Sequence, residues 1–157
     1  MTEPRQAPLR ILFVCIGNSC RSQMAEAWAN HLGNGRVQAA SAGSHPLGQI
    51  TRDTYVVMSE KGLSLEGQCS KGLRDVSVAE MDAVVSMGCE VACPVPAGFK
   101  GRVMEWDIPD PYAGGLEAFR AARDLIEQQV RVLLADLLPP GAPASNEVGR
   151  EARSGGR

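Results

Sequence analysis

The stretch Leu9-Arg10-Ile11-Leu12-Phe13-Val14-Cys15-Ile16-Gly17-Asn18-Ser19-Cys20-Arg21-Ser22 decides how this chain folds. Its first six residues form a nearly continuous apolar run. Such a run suits a strand buried on both faces, as in a parallel sheet. Cys15–Arg21 is rich in small and polar residues and reads as a loop. Ser22–Leu32 then places Met24, Ala27, Trp28 and Leu32 on one helical face. The order is therefore strand, loop, helix.

Working outward, the pattern repeats. Val37–Ser41 is a second short strand, closed by Ala42-Gly43. Asp53–Lys61 reads as helix, ended by Gly62. Glu80–Ser86 contains Ala83-Val84-Val85 and predicts a third strand. Arg102–Trp106 predicts a fourth, with Val103 and Met104 at its centre. In Leu116–Leu138 the residues Phe119, Ala122, Ile126, Val130, Leu133 and Leu137 recur at three- and four-residue steps. Pro139-Pro140 stops that helix. Strands alternating with helices imply an α/β fold with a parallel sheet and right-handed crossovers. Ligands in such folds sit beyond the C-terminal ends of the strands. The loops after strands one, three and four (Cys15–Arg21, Met87–Pro96 and Asp107–Gly115) are the places to look.

The chain has 157 residues, enough for one domain with a real core. The expected domain is Leu9–Leu138, flanked by flexible tails at 1–8 and 139–157 that are rich in proline, glycine and polar residues. Apolar residues make up 44% and charged residues 22%, a globular balance. The net charge of −2 argues against a general nucleic-acid binder. No apolar run approaches the roughly 20 residues of a membrane span. Ile11–Val14 is too short for a signal peptide, so the expected compartment is the cytoplasm. There, five cysteines are reactive, metal-binding or buried rather than disulfide staples.

The loop after the first strand suits a tetrahedral oxyanion. Backbone N–H groups of a tight turn entering a helix converge on an anion, and the helix N-terminus adds positive potential. The expected oxyanion cradle is Cys15, Ile16, Gly17, Asn18, Ser19, Cys20 and Arg21. Gly17 permits backbone conformations that other residues resist. Arg21 offers a planar fork to two oxygens. Cys15 feels the same field, which favours its thiolate, and Ser22 can donate a hydrogen bond to it. Nucleophile and anion site are thus superposed. Cys20 reads as a small buried residue. The lysine of a nucleotide-binding glycine loop is absent.

Cys15–Ser22 resembles the phosphate loop of low molecular weight protein tyrosine phosphatases and of the arsenate reductases that share their fold. Ser41-Ala42-Gly43 is similar to the same family, as is Asp110-Pro111, which matches its general-acid loop. The resemblance covers roughly Leu9–Leu138. It implies a single-domain, three-layer α/β/α sandwich with a four-stranded parallel sheet and flavodoxin-like topology. It also implies that Asp110 protonates the departing oxygen, a role for which Asp107 is the nearby competitor. Both aspartates sit beside prolines, where they also serve simply to begin turns.

Met87-Gly88-Cys89-Glu90-Val91-Ala92-Cys93-Pro94 separates the two branches. A phosphatase needs one nucleophilic cysteine. A reductase must supply two electrons, which two thiols yield on forming a disulfide. Cysteines four apart reach the Cα separation of about 6 Å that disulfides prefer. The Gly-Cys…Cys-Pro arrangement resembles the redox segment of thioredoxin-coupled arsenate reductases, although the gap here is shorter. Three other readings stay open: half a zinc site, which lacks a companion Cys/His pair; inert buried thiols; or a thiol trap for trivalent arsenic. Cys69 has no partner nearby in sequence and reads as incidental, while His31 and His45 show no triad or ligand pattern and read as structural.

Aromatic scarcity points the same way. Ser44–Thr54 has none to grip an aryl ester, and Tyr112 is followed by Ala113 where the phosphatases carry a second tyrosine. The resemblance then implies an arsenate reductase with Cys15, Arg21, Ser22, Cys89, Cys93 and Asp110 as its chemistry. No cofactor or metal is expected. The expected partners are arsenate and thioredoxin, for a monomer that meets neither nucleic acid nor membrane. The alternatives are a phosphotyrosine phosphatase or a non-catalytic arsenic- or metal-binding protein.

Overall fold

The computed structural model describes residues 7–88 and 95–139. Cys89 and Cys93 lie outside the described residues, as do 1–6 and 140–157 of the expected tails. Four strands and three α-helices alternate: β1 (Leu9–Cys15), α1 (Arg21–Gly33), β2 (Val37–Gly43), α2 (Arg52–Ser59), β3 (Ala83–Met87), β4 (Arg102–Trp106) and α3 (Gly115–Leu137). The sheet order is β2-β1-β3-β4 and every pairing is parallel. This is the α/β architecture expected from the alternation of strands and helices. None of the described helices is long and apolar enough to cross a membrane.

β1 is the central strand, and its apolar run follows from that position. Phe13 pairs with Ser41 of β2 on one side and Val85 of β3 on the other. Ile11, Leu12, Phe13 and Val14 have no solvent exposure. Because side chains alternate along a strand, Ile11, Phe13 and Cys15 join one core and Leu12 and Val14 another. Full burial of each large side chain contributes roughly 1.5–3 kcal/mol.

The two faces are covered differently. The larger core unites Ile11, Phe13, Ala83 and Val85 with Met24 and Trp28 of α1, Val57 and Met58 of α2, and the Phe119-Ala122-Ile126-Val130-Leu133 stripe of α3. The helical spacing read from the sequence is the stripe that joins this core. The opposite face, Leu12, Val14 and Val84, is covered by Leu73, Val76, Val78, Val95 and Phe99. That layer is thin, built around two single 3-10 turns at Leu73–Asp75 and Val78–Glu80.

The second turn also explains a difference at β3. The sequence suggests a strand from Glu80, whereas β3 begins at Ala83. Residues 78–80 coil into the 3-10 turn, and the Asp82 carboxylate accepts the Arg10 N–H at 2.8 Å just before the strand. β2 runs two residues further than expected, to Gly43, because Val14 and Cys15 continue the register onto Ala42 and Gly43. That extension brings the end of β2 level with the Cys15 loop.

Candidate active site

The loop between β1 and α1 is held from outside by its carbonyl groups. Cys15 O accepts from Ser44 N at 3.1 Å, Ile16 O from His45 N at 2.8 Å and Gly17 O from Leu47 N at 3.0 Å. Asn18 O accepts from Gln23 Nε2 at 3.1 Å, and Ser19 O from Thr51 N at 3.2 Å and Thr54 Oγ1 at 2.9 Å. Cys20 O accepts from Met24 N at 3.0 Å, the first bond of α1. A trans peptide points its C=O and N–H in opposite directions. Carbonyls tied outward therefore turn the amides from Ile16 to Arg21 toward the loop interior, where an anion fits.

Two residues make this winding feasible. Asn18 is buried with φ +49°, in the left-handed region that asparagine tolerates better than most residues. Gly43, at the end of β2, lies so close that an added Cβ would sit 2.6 Å from Ile16 O and 3.0 Å from Asn18 N. This close approach accounts for the glycine in Ser41-Ala42-Gly43.

Cys15 Sγ lies 2.9 Å from Ser22 Oγ. Ser22 Oγ also accepts from Asn18 Nδ2 at 2.7 Å. The amide supplies the proton in that bond, so the Ser22 hydroxyl proton is free to turn onto Cys15 sulfur. Cys20 differs in kind. It is buried, its Sγ lies 3.5 Å from Thr51 Oγ1 and 3.6 Å from Ser19 Oγ, and burial pushes its pKa up. It thus stays a neutral thiol although it lines the same cavity.

Arg21 is 5% exposed and Nη1 donates to Ile108 O at 3.1 Å, which aims the guanidinium across the mouth of the loop. Its Nη2 lies 3.7 Å from Asp110 Oδ2. Asp110 is half exposed, and its Oδ1 accepts from Tyr112 N at 3.1 Å. Asp107 is exposed, and it is Asp110 that lines the cavity with Cys15. Gly88, directly after β3, has φ +81°, and an added Cβ would overlap Arg21 Nη1. The chain thus enters the Cys89–Pro94 stretch from a glycine packed on Arg21.

These residues enclose a cavity of about 320 Å³, lined by Cys15, Gly17, Arg21, His45, Asp110 and Tyr112 among others. The sequence pointed to the loops after strands one, three and four. The structure adds the segment after β2, which brings His45 and Leu47 to the rim. Its sequence context, which holds no ligand pattern, marks His45 as structural. It reaches the cavity because its own N–H clamps Ile16 O. His31 lies near the end of α1, edge-on to Trp28. Cys69 is exposed, and its carbonyl accepts from Gln23 Nε2 at 3.0 Å.

Sequence reasoning also missed Gln23. It has no solvent exposure, and its carboxamide links Asn18 to the Gln68–Cys69 segment. Its only signal was a polar residue within an otherwise buried turn of α1.

Residues 10–140 match the family described as low molecular weight phosphotyrosine protein phosphatase. A Synechocystis protein named glutaredoxin arsenate reductase is 34% identical over 130 residues, which cover 82% of this chain and 98% of that protein. The Escherichia coli K12 protein named low molecular weight protein-tyrosine-phosphatase Wzb is 34% identical over 133 residues, covering 77% and 90%. A solved structure titled an arsenate reductase in the phosphate binding state aligns with a TM-score of 0.74 at 32% identity, covering 82% of this chain and 98% of that one. The match runs from β1 past the end of α3, and the chain belongs to the low molecular weight phosphotyrosine protein phosphatase family.

Proposed function

We propose that this protein reduces arsenate to arsenite by a cysteine relay. The observation that carries the reading is the pairing of the Cys15 anion cradle with a Cys89/Cys93 stretch that starts from Gly88, packed on Arg21. The Cys15 thiolate attacks arsenic while the loop amides and Arg21 hold the remaining oxygens. Asp110 gives its proton to the departing oxygen, which leaves as water. Cys89 then attacks the Cys15 sulfur. The sulfur–arsenic bond breaks, its electron pair stays with arsenic, and arsenite leaves as a Cys15–Cys89 disulfide forms. Cys93 attacks Cys89, which moves the bridge to Cys89–Cys93 and restores Cys15. An external dithiol of the thioredoxin kind reduces that last bridge.

The half-exposed acid suits this cycle, because Asp110 must recover a proton from solvent each turn. Among the described residues, the cavity rim carries one phenyl-type ring, Tyr112, beside the His45 imidazole, which suits an inorganic oxyanion better than an aryl ester. The phosphatase reading draws support from the family itself, since an anion loop, an arginine and an acid serve phosphoryl transfer equally well.

Steady-state assays of Cys89→Ser and Cys93→Ser separate the readings. The relay requires that both lose multiple-turnover arsenate reduction with thioredoxin and its reductase. Normal turnover in both variants defeats it. Phosphotyrosine hydrolysis that is rapid and indifferent to both substitutions would favour the phosphatase. The Synechocystis relative carries glutaredoxin in its name, so a glutathione and glutaredoxin arm belongs in the assay. In that arm a monothiol meets the Cys15–arsenic adduct directly, and Cys93→Ser stays active.

A further inference from the structure

The hydrogen bonds behind Cys15 have a direction that main-chain atoms fix. Gln23 Nε2 faces two backbone carbonyls, Asn18 O at 3.1 Å and Cys69 O at 3.0 Å. Carbonyls only accept, so this end of the Gln23 amide is its nitrogen. Its Oε1 therefore faces Gln68, whose Nε2 donates to it at 2.8 Å. On the other side, Lys71 N donates to Asn18 Oδ1 at 2.8 Å, which fixes the Asn18 amide the same way. Gln23 Nε2 donates to that Asn18 Oδ1 at 3.0 Å. Asn18 Nδ2 must then face Ser22 Oγ, and toward a Cys15 thiolate, which can only accept, Ser22 turns its own proton.

Four bonds thus run head to tail: Gln68 to Gln23, Gln23 to Asn18, Asn18 to Ser22 and Ser22 to Cys15. Each amide that donates also accepts from the one behind it, and successive bonds of this kind polarise one another. Gln23, Asn18 and Ser22 are fully buried and Gln68 is half-buried, so water has little access to replace a missing link.

We propose that Gln23 and Gln68 are positioning residues for Cys15: with Asn18, they lock the Ser22 hydroxyl proton onto the thiolate. Neither glutamine touches substrate. Their effect is to exclude the alternative in which Ser22 turns its proton away and presents a lone pair to the sulfur. The inference rests on Cys15 being the nucleophile, as in the proposed function, but not on the identity of the oxyanion.

Other charged or titratable groups also line the Cys15 cavity. Arg21 and Cys20 come from its own loop, His45 from the segment after β2, and Asp110 and Tyr112 from the segment after β4. All of them stay intact in the variants that test the relay. The experiment is site-resolved alkylation of Cys15 by iodoacetamide across pH, read by mass spectrometry on the full chain without substrate. Wild type is compared with Gln23→Met, Gln68→Met and the double variant, with thermal melting recorded in parallel. Loss of one hydrogen-bond link is expected to raise the midpoint of alkylation in Gln23→Met by about half to one pH unit, equivalent to roughly three- to tenfold slower reaction below the midpoint. Gln68→Met shifts it less, and the double variant no more than Gln23→Met, because the chain runs through Gln23. A purely structural role would lower the melting temperature and leave the midpoint in place, which overturns the proposal. Additive shifts in the double variant also overturn it. If Gln23→Met does not fold, Gln68→Met alone decides. An upward shift supports the relay and an unmoved midpoint overturns it. Because no oxyanion is present, a negative result here leaves the reductase reading to its own assay.

Discussion

The loop that carries Cys15 and the loop that carries Asp110 face each other across one cavity, yet they are built on opposite principles. In the first, every carbonyl from Cys15 to Cys20 accepts a hydrogen bond, from the segment after β2, from α2 or from the first turn of α1, and Asn18, Ser19, Arg21 and Ser22 are buried. In the second, Asp110 is half exposed. It is held by one amide, Tyr112 N, and an ion pair of 3.7 Å with Arg21. The difference suits the two tasks proposed for them. An anion cradle works by preorganisation, since donors fixed before substrate arrives need not reorganise during reaction. A general acid must approach a leaving oxygen, release a proton and recover one from water, so it gains from exposure and a loose tether.

If the comparison is right, the two loops should fail in different ways. The largest effect is expected from Asp110→Asn. It should cost roughly 10²- to 10⁴-fold in the rate of the chemical step. Affinity for inorganic phosphate, a competitive anion, should hold or rise, because a carboxylate near Arg21 is gone. Single-turnover kinetics with a phosphate titration check both. An Asp110→Asn enzyme that loses phosphate binding as severely as rate would mean that the acid loop is part of the cradle.

Gly43→Ala tests the opposite wall. The added methyl meets Ile16 O and Asn18 N, both backbone atoms that cannot swing aside. Overpacking of this kind costs about 1–3 kcal/mol of stability. A displaced cradle is expected to weaken phosphate binding and to lower kcat/KM by about 10²-fold, a typical result of misplacement. Denaturant unfolding and the same phosphate titration measure the two parts. Unchanged binding would show that the cradle adapts, and the contrast with the Asp110 loop would dissolve.

The smallest effect concerns the brace behind both loops. α2 supports the Cys15 loop through Thr51 and Thr54, while α3 begins just after the Asp110 loop. Glu60, directly after α2, accepts from Arg120 at 2.7 Å and from Arg123 at 2.7 Å, both on α3. Hydrogen bonds from Arg120 first, and then Arg123, hold its carboxyl down at about 2 against an ordinary 4.5. A depressed carboxylate stabilises the fold above its unfolded value, and that stability is lost as pH falls. The brace should therefore act fully above about pH 4.5 and fade toward pH 2. The site is solvent-accessible, so the effect is modest. Thermal melts of wild type and Glu60→Gln between neutral and acid pH check it. The curves should converge as the pH falls below 4.5.

Most of what was legible in the sequence is local in the chain. The run Leu9–Val14 reads as a buried strand, because five apolar residues out of six, with Arg10 the exception, leave almost no face for water. The Cys15–Ser22 pattern followed within one turn of helix. The α3 stripe was legible because a 23-residue helix repeats its message six times. β3 was placed three residues early because Val78 and Met81 are apolar for the sake of the thin second layer, not for the strand. His45 escaped notice because its role depends on a main-chain bond to Ile16, 29 positions away.

The sequence by itself determined the class of fold and marked the Cys15 loop and the Asp110-Pro111 segment as candidates, because each is written in residues adjacent along the chain. Only the tertiary structure decided which way the loop's amides point. It also decided that Cys20 is buried against Thr51 while Cys15 faces Ser22, and that Gly88 packs on Arg21. The Gln68–Gln23 bond joins residues 45 positions apart. Its direction is set by backbone atoms, by Asn18 O and Cys69 O, which face Gln23 Nε2, and by Lys71 N, which faces Asn18 Oδ1. Hydrogen-bond direction is a property of atoms brought together by folding, so no local pattern of residues records it.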